Sequence, residues 1–249
     1  MSYFERIESV NVDALGNSAE VGLFGSLKIS QPSAQVSLTF DRPLATSRLV
    51  EVAGTPTAQY NRSLLRAQNG DSVQTIRKLR YRTAQTIEIY FTAAFKGTFT
   101  AGTDETYVGL FDGADGVFVG YQGGQFVVGY RNINKDGGTE PDVVQAVTPP
   151  PNVENVYRYR VRFGYLGVGD IAFEYKESGK DWQLLHIFPT DGTLADRTHI
   201  GSPVLPMRAQ CNHAGCEILS GSWNAQTYGT DSNLQELPFV ADGTRVVPG

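Results

Sequence analysis

The run YVGLFDGADGVFVGYQGGQFVVGYR, residues 107–131, decides the fold. Three short segments rich in Val, Phe and Tyr are separated by DGADG and QGGQ. β-Branched and aromatic residues fit a pleated strand, whereas Gly, Asp and Gln in these positions mark tight turns. The glycines recur every few positions and leave no 3.6-residue apolar period, which excludes a helix. The stretch therefore reads as an antiparallel meander. Alternation sends Val117, Val119 and Tyr121 to one face and Phe118 and Gly120 to the other, and in the third strand Phe126, Val128 and Tyr130 oppose Val127 and Gly129. A sheet with one wet face alternates apolar with polar residues. Both faces of this meander are therefore expected to be covered, the outer one by another layer or by a neighbouring subunit.

Strands continue on both sides of this stretch. TIEIYFTAAF (86–95) places Ile87, Ile89 and Phe91 against Glu88 and Tyr90. Residues 157–165 alternate most clearly: Tyr157, Tyr159, Val161, Phe163 and Tyr165 share one face, while Arg158, Arg160 and Arg162 share the other. Three arginines in a row on a sheet face require water or carboxylates from a neighbour. Further strands are read at 49–52, 63–67, 72–76, 171–176, 182–188 and 216–220, with an extended segment at 203–209 and a turn at Asn69-Gly70-Asp71. Residues 132–151, with Gly137-Gly138 and three consecutive prolines, read as a long surface loop. Strand runs about every ten residues without intervening helices indicate an all-β, antiparallel β-sandwich of concanavalin-like or jelly-roll type. The expected divisions are an N-terminal arm or edge hairpin (1–48), the sandwich (49–222) and a loop-like C-terminal tail (223–249). Within the arm, 21–27 and 35–40 carry weak strand signals.

Composition bounds the function. The chain has 249 residues, 41% of them hydrophobic, and a formal net charge of −5. An acidic total argues against nucleic acid as the main partner. No run of eighteen apolar residues suggests a membrane span, and MSYFERIESVNVD lacks the apolar segment of a secretory signal. Arg77, Lys78, Arg80 and Arg82 lie within six residues; they offer either an anionic-partner surface or, as favoured by the acidic total, a solvated edge that discourages strand pairing.

Residues for chemistry are scarce. A retaining glycosidase needs two carboxyls roughly 5 Å apart, and no strand carries acids at alternating positions. Asp112 and Asp115 sit in a turn motif too poor in oxygens for calcium. Cys211, His213 and Cys216 bring two thiols and an imidazole together in CNHAGC, but no second cluster completes a zinc site; whether the two cysteines are bonded is open. No G-x-S-x-G or phosphate-cradling loop leading into a helix occurs. No catalytic residue, cofactor or metal is expected, and the chain reads as a non-enzyme.

Two stretches together, TIEIYFTAAF with the opening meander and VYRYRVRFGYLGVGDIAFEYKESGKDWQLLHIF with SPVLPMRAQ, resemble a β-sandwich module of structural proteins in tailed bacteriophages and large double-stranded DNA viruses. The shared pattern is an F-T-x-x-F strand, a G-x-F-D…G-x-F-x-G meander, Y-R-x-R-F-G-x-L-G…F-E…W…H and a P-x-L-P strand, spanning about residues 50–220. The resemblance implies a concanavalin-like sandwich in a virion component, assembled in the host cytoplasm, without catalytic residues. The main expectation is a capsid decoration, cement or vertex-associated subunit. It would be a homo-oligomer touching capsid or other virion proteins through Arg77, Lys78, Arg80, Arg82, Arg158, Arg160 and Arg162. The alternative is a receptor- or carbohydrate-binding module of a phage tail or fibre, with Tyr121, Tyr130, Trp182 and Trp223 as candidate ligand contacts; Trp182, within its strand, is expected in the core more than at a ligand.

Overall fold

The computed structural model describes residues 9–11, 18–20, 33–41, 44, 50–59, 63–80, 85–102, 104–132, 142–147, 152–164, 170–189 and 199–228. Among them there is no helix. The strands of the first third are β1 (Ser9–Asn11), β2 (Ser18–Glu20), β3 (Ser33–Leu38), β4 (Val50–Ala53), β5 (Thr57–Gln59), β6 (Leu64–Gln68), β7 (Asp71–Thr75) and β8 (Leu79–Arg80). The middle carries β9 (Thr86–Lys96), β10 (Glu105–Phe111), β11 (Asp115–Gln122), β12 (Gln125–Asn132) and β13 (Asp142–Ala146). The last third carries β14 (Tyr157–Phe163), β15 (Ile171–Lys176), β16 (Gln183–Phe188), β17 (Val204–Leu205), β18 (Met207–Cys211) and β19 (Glu217–Tyr228).

Two antiparallel sheets form the sandwich. One has the order β13-β12-β11-β10-β18-β7-β4 and the other β16-β15-β14-β9-β19-β6-β5, with β3 also paired to β19. β17 pairs with β8, and β1 with β2, as separate ribbons. The opening meander is β10–β12, and its register follows the alternation: Val117 faces Tyr130 and Val119 faces Val128 across the pair. The Asp112 carboxylate accepts hydrogen bonds from the Ala114 and Asp115 amides at 2.8 and 2.9 Å, so DGADG is a hairpin turn.

Between the sheets the inward residues pack into one core. Phe91 stacks on Tyr159 with ring centroids 5.4 Å apart, and Tyr130 meets Phe188 edge-on at 5.3 Å. Trp223 is fully buried; Phe40 packs on it edge-on at 5.1 Å, and its indole N–H donates to the Ser220 hydroxyl at 2.8 Å. A buried indole with its N–H satisfied contributes its whole apolar area without a polar penalty.

The outer face of the seven-stranded sheet is also dry over β10–β12. Tyr107, Phe111, Phe118 and Val127 form a second buried cluster there. Phe118 stacks on Tyr107 at 4.0 Å, and its ring lies over Gly129, where a Cβ would come within 3.0 Å of two ring carbons. The Arg131 and Arg208 guanidinium groups flank the cluster, 6.0 Å from the Phe118 ring and 5.7 Å from the Phe111 ring. The expectation that both faces are covered holds, and the covering is supplied by the chain itself rather than by a second subunit.

Four boundaries differ from the sequence reading. Residues 223–228 are not a loop-like tail: β19 runs twelve residues and pairs with β9 on one side and with β6 and β3 on the other. Its outward residues Asn224, Gln226 and Tyr228 made the stretch look polar, and a register shift between Ser220 and Trp223 hid the alternation. The arm likewise contributes to the sandwich, because β3 pairs with β19 and Val36 and Phe40 sit in the core. Part of the supposed 132–151 loop is β13, an edge strand on β12. Finally, Asn69-Gly70 turns the chain from one sheet into the other, β6 and β7 lying in different sheets. Gly70 takes φ +85° there, and the Asp71 carboxylate holds the corner by accepting from the Thr55 and Gln68 amides at 2.6 and 2.8 Å. The expected strand at 21–27 and the tail beyond residue 228 lie outside the described residues.

Candidate functional site

The outer face of the eight-stranded sheet is built differently. Period-two alternation in β14 turns Arg158, Arg160 and Arg162 outward while Tyr157, Tyr159, Val161 and Phe163 are buried. The antiparallel register sets Arg160 between Tyr90 of β9 and Glu174 of β15, and Arg162 between Glu88 and Ala172. The Arg160 Nε donates to Glu174 Oε2 at 2.7 Å; Arg162 donates to Glu174 Oε1 at 3.2 Å, and its Nε lies 3.2 Å from Oε2 as an ion-pair contact. One carboxylate therefore serves two guanidinium groups. Burial works against the Arg160 charge, but its hydrogen bond and charge contact with Glu174 outweigh this and raise its pKa. The carboxylates foreseen from a neighbour come from the next strand of the same sheet.

A second acid, Glu88, is buried on this face. It accepts from the Tyr90 hydroxyl at 2.8 Å and from the Gln226 amide at 3.4 Å, and Gln226 also meets the Tyr228 hydroxyl. Burial first, and then the Glu88 charge, push the Tyr90 phenol above its ordinary pKa. Glu88 and Glu174 stand on strands separated by β14 and are offset by two residues along them, which sets them about 11–12 Å apart at ordinary strand geometry. Both are tied into hydrogen bonds.

Above this polar layer stands Trp182, just before β16 and partly exposed. The Arg160 guanidinium carbon lies 4.4 Å from its ring centre, Arg158 5.8 Å and the Lys176 ammonium 6.0 Å. Tyr90 completes the group, 6.0 Å from the indole and 5.1 Å from Arg158. Cation–π contacts of this kind contribute about 0.5–1 kcal/mol each at exposed sites.

Of the four aromatics nominated as ligand contacts, Trp182 and Tyr121 are partly exposed, and of these Trp182 is the one that joins the arginine row. Tyr130 and Trp223 are buried in the core, and Tyr121 packs inward, stacked on Phe99 at 3.9 Å. The correction has one cause: alternation assigns a residue to a face, and only sheet packing tells which face is interior. Arg158, Arg160 and Arg162 join Trp182, whereas Arg77, Lys78 and Arg80 lie apart, exposed around a cleft of about 390 Å³ shared with Gln35, Ile76 and Val204. Arg82 lies outside the described residues. A second cleft, about 470 Å³, opens between Arg66, Lys96, Gly97 and Glu217, and Arg66 and Glu217 pair across it at 2.5 Å. Tyr90, Glu174 and Lys176 were missed as members of the site. The shared parity of Glu88 and Tyr90 put Tyr90 on a polar face, but nothing in the sequence fixed the register between β9, β14 and β15.

Among the described residues no group of three His, Cys, Asp or Glu side chains is placed to hold a metal ion. Cys211 and Cys216 are both buried and unbonded. Burial pushes the Cys211 thiol up to about 11, which disfavours the reactive thiolate.

No protein-family model and no curated protein matches the chain in sequence. Solved structures do match in fold. The binding domain of botulinum neurotoxin serotype G aligns with a TM-score of 0.53 at 11% identity, over 81% of this chain and 49% of that one. The binding domain of botulinum neurotoxin DC in complex with rat synaptotagmin II aligns at 0.52 and 11%, over 80% and 49%. The chain thus spans about half the length of these toxin domains. A lectin from Bauhinia forficata in complex with GalNAc aligns at 0.47 and 10%, over 80% and 100%. At such identities the likeness to the two toxin domains establishes the β-sandwich fold and nothing finer.

Proposed function

We propose that this chain is a non-catalytic recognition module, a receptor- or carbohydrate-binding sandwich whose contact surface is the outer face of the eight-stranded sheet. The observation that carries this reading is Trp182. It is a partly exposed indole on the sheet face, packed on Arg160 and close to Tyr90. An amphipathic aromatic on a rigid strand scaffold offers a flat apolar surface with polar donors around it, which is what a sugar ring presents in complement. The two buried acids on this face are held by Arg160, Arg162, Tyr90 and Gln226, so neither is poised as a proton donor beside a free carboxylate. A glycan array tests the reading. Saturable binding by the wild type that disappears in Trp182→Ala, with an unchanged melting curve, supports it; an array without hits removes the carbohydrate reading.

A second reading keeps the sandwich as a virion structural subunit, a capsid decoration or vertex-associated protein that self-associates. It draws on the sequence resemblance and on the exposed apolar side chains of β16, Leu184 at 57% and Ile187 at 37%. Mass measurement across a concentration series separates the two. A concentration-independent monomer argues against the assembly subunit, and an oligomer dispersed by Leu184→Lys argues for it.

A further inference from the structure

The charges on the outer face of the eight-stranded sheet do not balance. Arg160 and Arg162 share Glu174, and Glu88 is enclosed by Tyr90 and Gln226. Among the described residues no carboxylate pairs with Arg158 or Lys176: the two stand directly opposite one another across β14 and β15, and their contacts are with aromatic rings. The acids of the adjoining turn, Glu177 and Asp181, are exposed. Like charges facing each other across an antiparallel pair destabilise the sheet. In a chain with a net charge of −5, two uncompensated cations converging on one indole form a local positive spot on an acidic molecule.

Resting on the recognition module argued above, we propose that this spot reads an anionic saccharide, one bearing a carboxylate or a sulfate. The Arg158 guanidinium and the Lys176 ammonium receive the anionic group, and the Trp182 and Tyr90 rings border the sugar. An arginine fork matches the geometry of both oxyanions and forms short, charge-assisted hydrogen bonds with them. Cation–π contact with Tyr90 and Trp182 holds the fork in place before the ligand arrives, which lowers the ordering cost of binding. Binding relieves the repulsion between Arg158 and Lys176, so a neutral sugar of the same shape lacks the main source of affinity.

The experiment is a glycan array carrying neutral, carboxylated and sulfated members, read with the wild type and with Arg158→Gln at low and high salt. The expected result is hits confined to anionic glycans. The array arm holding them shows which oxyanion is used. The hits should weaken about tenfold or more in Arg158→Gln and fall with added salt, while the melting temperature of this exposed-site variant is unchanged. Hits among neutral glycans that Arg158→Gln leaves intact overturn the inference but keep the recognition module. An array with no hits overturns both. Competition of the anionic hits by inorganic sulfate at equal concentration marks the spot as an adventitious ion site only, and also overturns the inference.

Discussion

On the outer face of the seven-stranded sheet, Tyr107, Phe111, Phe118 and Val127 are buried, with glycines on neighbouring strands making room for the rings. On the outer face of the eight-stranded sheet, four cations, two buried acids and a half-covered indole occupy the corresponding layer. The first face derives its stability from area removed from water and close ring contacts, and presents little that a partner could read. The second is held by directional hydrogen bonds that leave two cations unmatched. Under the proposed function, stability and recognition fall on opposite sides of one sandwich. The stretch 107–131, with its turn motifs, is the structural face, and the arginine strand 157–163 lies on the polar one.

The largest effect should come from breaking the dry face. Phe118→Ala removes a fully buried ring stacked on Tyr107 and seated over Gly129. A loss of about 3–5 kcal/mol is expected, measured by urea denaturation, with glycan binding retained at temperatures where the variant is folded. A loss below about 1 kcal/mol would show that this face is not a core.

Glu174→Gln comes next. It leaves Arg160 and Arg162 without their shared carboxylate at sites only 14% and 38% exposed. Full burial of such a break costs about 3–5 kcal/mol, and partial solvent access reduces the expectation to about 1–3 kcal/mol. Anion binding should strengthen in this variant, since two more cations are freed. An unchanged stability would mean the pair is screened.

Trp182→Ala should change stability by less than about 1 kcal/mol and still abolish ligand binding. The reverse pattern, a large stability loss with binding intact, would make Trp182 a core residue and erase the difference between the faces.

The smallest effect concerns His186 in β16, whose imidazole burial holds below its ordinary pKa. Because the unfolded chain takes up a proton more readily than the folded one, the contribution of the neutral ring is present above about pH 6.5. It is lost as pH falls through the unfolded value toward the folded one. His186→Gln should flatten that segment of the stability–pH curve, measured by thermal melts from about pH 7 to 5.

Strand identity was readable in the sequence wherever alternation was uninterrupted. In 157–163 the β-branched and aromatic residues fall at every second position, so both the strand and its two faces follow from the sequence alone. It was unreadable where a bulge changed the parity, as between Ser220 and Trp223 of β19, and where an edge strand such as β13 carried little buried surface.

The sequence by itself determined the class of the fold, the dryness of both faces of 107–131 and the row of arginines on one side of 157–163, because these depend on the two-residue period of a single strand. Tertiary structure alone decided which partners complete the arginine row. Glu174, Lys176, Tyr90 and Trp182 come from three other segments and meet only through antiparallel registers and the packing of the β15–β16 turn. It also placed Trp223 inside and Trp182 outside, because being interior belongs to a pair of packed sheets and cannot be read from one strand.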